Sequence, residues 1–237
     1  MQSNTNYKLT NAYDRTNRKP MAQHKLGGQY LKYRQRIFAK LSCFEKIQKN
    51  TLPEPYTGDV NSNVYCLNLN PGSACVCDDS EPQLKEKFTK YTLQTLRHEI
   101  DENMWFLLKG TAGYDWWRQK TEKLREYKKG QNPRMFVIEY FPYHTVKGAN
   151  FPRKLPSYEY SNQLIRQAME GKKYIVIMRH RKEWLQRISG LEKYERLVCL
   201  NNPQNPCLTQ NNIEPSEKNL ERGFPANIKF EKLQKQF

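Results

Sequence analysis

The sequence has no apolar run that approaches the roughly 20 residues needed to span a bilayer. Its first eleven residues are polar and lack the apolar segment of a secretory signal peptide. Both absences favour a soluble, cytoplasmic protein, and we expect no membrane partner. The length of 237 residues predicts one large domain that can bury a substantial core, and we expect a monomer.

Cysteine is too scattered to indicate a disulfide framework or a metal site. The six cysteines include one close pair, Cys75 and Cys77, whose single-residue spacing differs from the usual C-x2-C zinc hook. No matching Cys/His pair stands near it in the sequence. We therefore expect reduced thiols, no metal and no cofactor.

Acidic residues are outnumbered, with 24 Asp and Glu against 40 Lys and Arg, which gives a net charge of +16. An excess of this size favours a polyanionic partner such as nucleic acid, because phosphates attract dense positive charge. A generally basic solvated surface is the alternative interpretation.

Residues 28–237 carry the pattern of a single α/β domain. Four short, nearly continuous apolar runs predict strands that are buried on both faces of a parallel sheet. These runs lie at residues 64–69, 135–141, 174–178 and 197–200. Helical spacing separates them, at residues 84–108, 158–169 and 182–188. The order predicts a three-layer α/β/α fold with a short, mainly parallel four-stranded central sheet.

Four further segments lie outside this alternation. Residues 1–27 are basic, lack apolar periodicity and predict a flexible N-terminal arm. Residues 29–49 predict an N-terminal helix with one buried and one basic face. Residues 51–63 are rich in Pro, Asn and Asp and predict a loop. Residues 215–237 predict a C-terminal extension that packs on the domain.

Unusual residues collect where the four predicted strands end. The first strand runs into Asn-Leu-Asn-Pro-Gly at residues 68–72 and the second into EYFPYH at residues 139–144. The third runs into RHR at residues 179–181 and the fourth into NNPQNP at residues 201–206. Because ligands of parallel α/β sheets bind outside the carboxyl ends of the strands, we expect the functional site at this edge. Taken alone, Asn-Pro-Gly is also an ordinary turn.

These four segments, in this order, resemble the uracil-DNA glycosylase superfamily, and most closely its mismatch-specific and single-strand-selective branches. The N-P-G motif of that superfamily is matched at Asn70, Pro71 and Gly72. Its minor-groove loop is matched at Pro203, Asn205 and Pro206. Asn68 stands where the family has the first glycine of its motif, and Glu139 stands at the place of the base-reading asparagine.

The resemblance implies a glycosylase-like fold and an enzyme of DNA repair that hydrolyses the N-glycosidic bond of a flipped base, plain or modified. It implies that Asn70 positions the attacking water through its amide oxygen. The family's minor-groove loop begins with a histidine that donates to the departing base, and here that place falls on Leu200 or Asn201. Asn201, and as a second candidate His144, would take the donor's role. Such an enzyme would be associated with the nucleoid or the nucleus.

Glu139 at the base-reading place changes the expected specificity. An ionised carboxylate only accepts hydrogen bonds, so it suits a base edge rich in N–H groups better than a uracil carbonyl. If Glu139 is buried, its pKa rises, and the protonated group both donates and accepts. An ion pair with Arg179 or Arg181 is the alternative role.

Further residues at this edge complete the predicted site. Those expected to contact the substrate are Asn68, Leu69, Pro71, Gly72, Ser73, Glu139, Phe141, Tyr143 and Asn202. Those expected to bind nucleic acid are Lys147, Arg153, Lys154, Arg179, Arg181, Pro203, Asn205 and Leu208. Leu208 is the candidate wedge that fills the gap left by a flipped base. Trp116 and Trp117 fit either a stacking platform for single strands or anchors of the core.

Two other functions stay open. The absent loop histidine and the presence of Glu139 also fit a catalytically inactive, glycosylase-like protein that binds nucleic acid. A nucleotide or metabolite enzyme unrelated to DNA is the second alternative, because sites at strand ends are generic. The net charge of +16 favours the nucleic-acid functions over the metabolite enzyme.

Overall fold

The computed structural model describes residues 47–48, 51–73, 82–100, 108–145, 151, 155–221, 223 and 228–237. The predicted arm at residues 1–27 lies outside these ranges, as does almost all of the helix predicted for residues 29–49. Of that helix only Ile47 and Gln48 are described, and Ile47 forms an antiparallel bridge with Thr145. None of the described helices is long and apolar enough to cross a membrane.

A five-stranded mixed sheet organises the chain, in the order β1-β3-β2-β4-β5. Its strands are β1 (Tyr56–Gly58), β2 (Val64–Asn68), β3 (Phe136–Glu139), β4 (Tyr174–Ile177) and β5 (Leu197–Cys199). The four predicted strands are confirmed as β2 to β5, and their pairings are all parallel. The α/β class is confirmed. The prediction of four strands is wrong, because β1 adds a fifth strand that pairs antiparallel with β3 at the edge of the sheet.

β1 lies in the segment that was expected to be a loop because of its prolines and glycine. Pro55 does not interrupt the pairing, since its carbonyl oxygen accepts a hydrogen bond from Glu139 N at 2.9 Å. Gly58 ends the strand with a φ of +96°, and a Cβ there would collide with the main-chain oxygen of Met135. Both the conformation and the close approach to the chain before β3 therefore require glycine.

Described helices follow β2, β3 and β4, and three more follow β5. The described helices are α1 (Pro82–Leu96), α2 (Ala112–Lys120), α3 (Glu122–Tyr127), α4 (Pro156–Glu170), α5 (Arg181–Arg187), α6 (Gln210–Ile213), α7 (Glu217–Glu221) and α8 (Phe230–Gln234). The helices predicted at residues 158–169 and 182–188 are confirmed as α4 and α5. α1 ends well before residue 108, because His98 takes a left-handed φ of +57°. α2 was not predicted; Thr111 caps it by accepting from Tyr114 N at 3.2 Å.

Two apolar clusters collect alternate residues of the strands, as expected when successive side chains point to opposite faces. The first joins the sheet to α4 and α5 through residues that include Leu67, Ile138, Ile177, Leu164 and Trp184. The second joins the sheet to α2, α3 and α8 through residues that include Cys66, Val137, Val176, Trp117, Leu124 and Leu233. From the predicted C-terminal extension, Ile228, Phe230, Leu233 and Phe237 pack into the second cluster, whereas Leu220 is exposed.

β2 and β3 end side by side, so the segments that follow them start together. Asn68 pairs in register with Glu139. Beyond the strands the contact continues, because Tyr140 N donates to Asn68 O at 3.2 Å and Thr145 N donates to Gly72 O at 2.9 Å. The N-P-G segment and the segment after β3 are thus held against each other at the carboxyl edge of the sheet.

Candidate functional site

The last residues of β2 and β3 form a buried polar pair. Asn68 Nδ2 donates to Glu139 Oε1 at 3.3 Å, and both residues are only 5% exposed. Trp184 Nε1 donates to the main-chain oxygen of Asn68 at 3.1 Å and so fixes the end of β2. Within the described residues, neither Asn68 Oδ1 nor Glu139 Oε2 has a hydrogen-bond partner. Two neighbouring buried polar atoms are therefore left for a ligand or a water, because leaving them unpaired is costly.

Burial raises the pKa of Glu139 to about 8, since the ionised carboxylate would lose its hydration. The hydrogen bond from Asn68 opposes this rise, the Glu54 carboxylate adds to it, and the Arg179 guanidinium opposes it. Glu139 is therefore mostly protonated at neutral pH, and in that form it can both donate and accept.

Asn70 is half-buried, and its amide is oriented by Thr145, whose Oγ1 accepts from Asn70 Nδ2 at 3.0 Å. With the amide nitrogen engaged, the amide oxygen is the group that remains to accept a hydrogen bond. Gly72 has a φ of +79°, and a Cβ there would meet nothing within 4 Å. Conformation alone therefore selects glycine in this turn. Ser73 Oγ, which is exposed, accepts from Gln48 Nε2 at 3.3 Å.

A second buried acid, Glu54, approaches from the segment before β1. His144 Nε2 lies 3.0 Å from Glu54 Oε2, and Thr92 Oγ1 donates to Glu54 Oε1 at 3.2 Å. Phe88 meets the imidazole edge-on, with ring centroids 5.8 Å apart. His144 is 3% exposed. The imidazole thus lies between a carboxylate and a phenyl ring, although within the described residues neither of its nitrogens has a hydrogen-bond partner.

Aromatic side chains of α1 and α2 form apolar walls beside these polar groups. Phe88 and Tyr91 belong to α1, and Trp116 and Trp117 belong to α2. The two indoles meet edge to face with centroids 4.8 Å apart. Trp117 is buried in the second cluster, whereas Trp116 is partly exposed and stacks with Arg179, whose guanidinium lies 5.5 Å from the ring centroid. The two tryptophans thus have different surroundings.

The two acids, the Asn68 and Asn70 amides, His144, Arg179 and these aromatic side chains line one cavity of about 350 Å³. This volume is near the lower end of the roughly 300–1,000 Å³ that is usual for small-molecule sites. The predicted site residues that the structure brings together here are Asn68, Asn70, Pro71, Gly72, Ser73, Glu139, His144 and Arg179. Aromatic walls with a few convergent polar groups suit a planar ring that carries hydrogen-bonding atoms at one edge.

Asn201 does not belong to this lining. Its Nδ2 donates to the main-chain oxygens of Asn211 and Glu214, at 2.7 Å in each case, and its Oδ1 accepts from Asn219 Nδ2 at 2.6 Å. The side chain therefore tethers the loop after β5 to α6 and α7. Because its amide is engaged in this tether, it does not offer the donor that the sequence predicted for a departing base.

The rest of that loop also lies outside the lining. Asn202 Oδ1 accepts from Asn205 N at 3.1 Å, which closes a local turn. Asn205 Oδ1 in turn accepts from Lys120 Nζ at 2.8 Å. Pro203 is exposed. Leu208 is fully buried in the second apolar cluster, a position that does not suit a wedge into DNA.

The remaining predicted residues fall into two groups. Leu69, Phe141, Tyr143 and Arg181 are described but do not line the cavity. Phe141 and Tyr143 are buried and pack on each other with centroids 5.2 Å apart, and Arg181 Nη2 donates to the main-chain oxygen of Gly223 at 3.2 Å. Lys147, Arg153 and Lys154 lie outside the described residues.

Several lining residues carry no signal that the sequence alone makes visible. They are Glu54, Thr57, Phe88, Tyr91, Leu108, Thr111, Ala112 and Gly113. The spacing of Phe88 and Tyr91 is that of an ordinary buried helix face, and Glu54 lies between prolines. The adjacent pair Trp116 and Trp117 is the one local signal that points to α2.

No family model, curated protein or solved structure matches the chain. The described ranges contain no group of three or more His, Cys, Asp and Glu side chains that could hold a metal ion. The geometry of the cavity is what remains to indicate a function.

Proposed function

We propose that the protein is a uracil-DNA glycosylase-like enzyme that hydrolyses the N-glycosidic bond of a flipped base in DNA. The observation that carries this proposal is that Asn70 and Glu139 line the same cavity. The resemblance assigns the first to the water and the second to the base. Helical residues in both apolar clusters are compatible with the three-layer arrangement of that superfamily.

In this proposal the base enters the cavity edge first. Its polar edge meets Asn68 and Glu139, and its face packs against the aromatic walls that Phe88 and Trp116 supply. Arg179 is half-buried and stacked on Trp116, so its guanidinium suits a phosphate at the rim. The net charge of +16 favours binding to the DNA backbone, and the base is extruded from the duplex once the DNA is bound.

Hydrolysis then needs a water at the anomeric carbon of the sugar. The amide oxygen of Asn70 accepts a hydrogen bond from that water and holds it in place. The water oxygen bonds to the carbon, the carbon–nitrogen bond breaks with its electron pair passing to the base, and a proton from the water is transferred to the base. His144, whose Nε2 lies 3.0 Å from Glu54 Oε2, is the proton carrier within the same cavity.

Oligonucleotides that carry one uracil, hypoxanthine, xanthine or substituted pyrimidine test this activity. The full chain is incubated with each, and alkali then breaks the strand wherever a base has been removed. We expect breaks at the modified position, and we expect Asn70→Ala to slow them by about 100-fold while DNA binding persists. Asn132→Ala, at an exposed site outside the cavity, is the matched control. No breaks in any substrate would refute the enzyme proposal.

A nucleic-acid-binding protein without hydrolytic activity is the second candidate, and the tether formed by Asn201 favours it. Asn201, the predicted donor to a departing base, is not offered to it, because its amide binds α6 and α7. Fluorescence anisotropy of labelled single-stranded and duplex oligonucleotides over a salt series tests this candidate. Salt-sensitive binding without strand breaks would support it, and binding that does not respond to salt would count against both candidates.

A further inference from the structure

The Asn68–Glu139 pair offers the same two kinds of hydrogen-bonding group in either orientation of the amide. When Asn68 Nδ2 donates to Oε1 of a neutral Glu139, the groups left over are the amide oxygen and the carboxyl hydroxyl. When the amide is turned over, the hydroxyl donates to the amide oxygen, and an amide N–H and the carboxyl C=O are left over. One donor therefore always stands beside one acceptor.

We propose that Asn68 and Glu139 together read a neutral ring edge that carries one hydrogen-bond acceptor next to one N–H donor. Amidine edges such as those of cytosine and adenine, and the lactam edge of uracil or hypoxanthine, have this arrangement. The proposal rests on the proposed function in taking the ligand to be a nucleobase. An edge that lacks either group would leave one of the two buried atoms unpaired, which costs affinity.

Ionisation of Glu139 changes what the pair offers. A carboxylate cannot donate, so Asn68 must donate to it, and the two atoms left over are then both acceptors. The pair would lose its complementarity to a neutral donor–acceptor edge. Binding of a donor–acceptor ring edge by Asn68 and Glu139 should therefore require the protonated carboxyl of Glu139.

The surroundings of Glu139 determine the pH at which this complementarity is lost. The pKa of Glu139 is raised to about 8, chiefly by burial; the hydrogen bond from Asn68 opposes the rise, Glu54, before β1, contributes to it, and Arg179, after β4, opposes it. His144, after β3, and Tyr91, on α1, line the same cavity and are the other titratable groups that face it among the described residues. The reading form is thus the main one at neutral pH and is depleted above about pH 8.

Binding of cytidine to the full chain, measured by titration calorimetry, tests the proposal, because the cytosine base does not titrate from neutral to moderately alkaline pH. Between about pH 6.5 and about pH 9.5 the neutral fraction of Glu139 falls to roughly 3%, so the affinity should fall by about 30-fold. The analogue with both exocyclic amino hydrogens replaced by methyl groups keeps the ring acceptor but lacks the donor. It should bind at least about tenfold more weakly than cytidine at the lower pH.

Glu139→Gln separates reading from a merely structural role. Its side-chain amide keeps one donor and one acceptor but cannot ionise, so its affinity for cytidine should be the same at both pH values. Glu126→Gln, an exposed carboxylate on α3, is the matched control and should keep the wild-type loss of affinity. A wild-type affinity independent of pH, equal affinity for the methylated analogue, or a Glu139→Gln variant that keeps the wild-type pH dependence would each overturn the proposal.

These outcomes are independent of strand cleavage. If cytidine binds as expected and no oligonucleotide is cleaved, the proposal that Asn68 and Glu139 read the base is supported and the glycosylase proposal is refuted. If modified oligonucleotides are cleaved but nucleoside affinity depends on neither pH nor methylation, the glycosylase proposal is supported and the base-reading proposal is refuted. If cytidine, adenosine and uridine all fail to bind at about pH 6.5, the base-reading proposal is refuted.

Discussion

Replacing Glu139 by glutamine tests, without any ligand, whether its carboxyl is neutral in the folded protein. Burial raises the pKa of Glu139 from the ordinary 4.5 to about 8. The folded state therefore holds this proton more tightly than the unfolded state, in which the carboxyl is exposed to water. The stability linked to the proton is complete below about pH 4.5 and is lost as the pH rises through 8.

The size of the effect follows from proton linkage. Over this interval each pH unit removes about 1.4 kcal/mol from the free energy of unfolding, because the folded state binds one more proton than the unfolded state. By about pH 8 to 9 the accumulated loss is on the order of 4 kcal/mol. Glu139→Gln keeps the shape of the side chain but has no proton to lose. The variant should match the wild type near pH 5 and exceed it by that amount at the alkaline end.

Urea unfolding followed by tryptophan fluorescence, from about pH 5 to about pH 9, measures both proteins. The readout is the difference between their free energies of unfolding, because every other titrating group contributes to both. Glu126→Gln, on the exposed face of α3, should follow the wild type at every pH. If the stability curves of the wild type and Glu139→Gln run parallel across the range, Glu139 is not held neutral by burial and the reasoning fails.

Three other perturbations have expected outcomes that unfolding and binding assays can check. Gly58→Ala should destabilise by more than about 3 kcal/mol because its Cβ collides with the main chain, whereas Gly72→Ala should cost only about 1–2 kcal/mol because its surroundings are open; equal losses would contradict this. Asn201→Ala should lower the free energy of unfolding by about 2–3 kcal/mol and leave nucleoside affinity unchanged; a loss of affinity at unchanged stability would return it to the site. Trp116→Ala should weaken oligonucleotide binding by about tenfold with little loss of stability, whereas Trp117→Ala should destabilise by about 3–5 kcal/mol; the reverse pattern would exchange their roles.

The four parallel strands could be predicted because each is a local signal, a short apolar run bounded by turn residues. β1 could not, since the three residues Tyr56–Gly58 follow prolines and show no alternation of their own. They form a strand because β3 offers an edge with unpaired main-chain groups. The end of α1 at Leu96 could not be predicted either, since the apolar spacing continues beyond it. The helix stops because the backbone turns at His98.

The same distinction applies to the site. Asn68, Asn70 and Glu139 could be placed together from the sequence, because parallel strands deliver their carboxyl ends to one edge of the sheet. Glu54 could not, because it reaches the cavity only through the unpredicted pairing of β1 with β3. Asn201 follows a confirmed strand at the correct edge, yet its side chain is drawn away by α6 and α7, partners whose positions no local pattern reveals.

Burial along the N-P-G segment gives the cavity a direction. Asn68 is buried, Asn70 is half-buried and Ser73 is exposed, so the chain runs outward from the end of β2 towards the surface. At the buried end of the cavity lies the carboxyl of Glu139, which burial keeps neutral at neutral pH. A neutral carboxyl can hydrogen-bond to an uncharged base, but it offers no positive charge to a phosphate. The guanidinium of Arg179, which can bind a phosphate, is half-buried and stacks with the partly exposed Trp116. Under the proposed function, a nucleotide would sit with its base deep, its sugar beside Asn70 and its phosphate outward, the order that a base still attached to a strand requires.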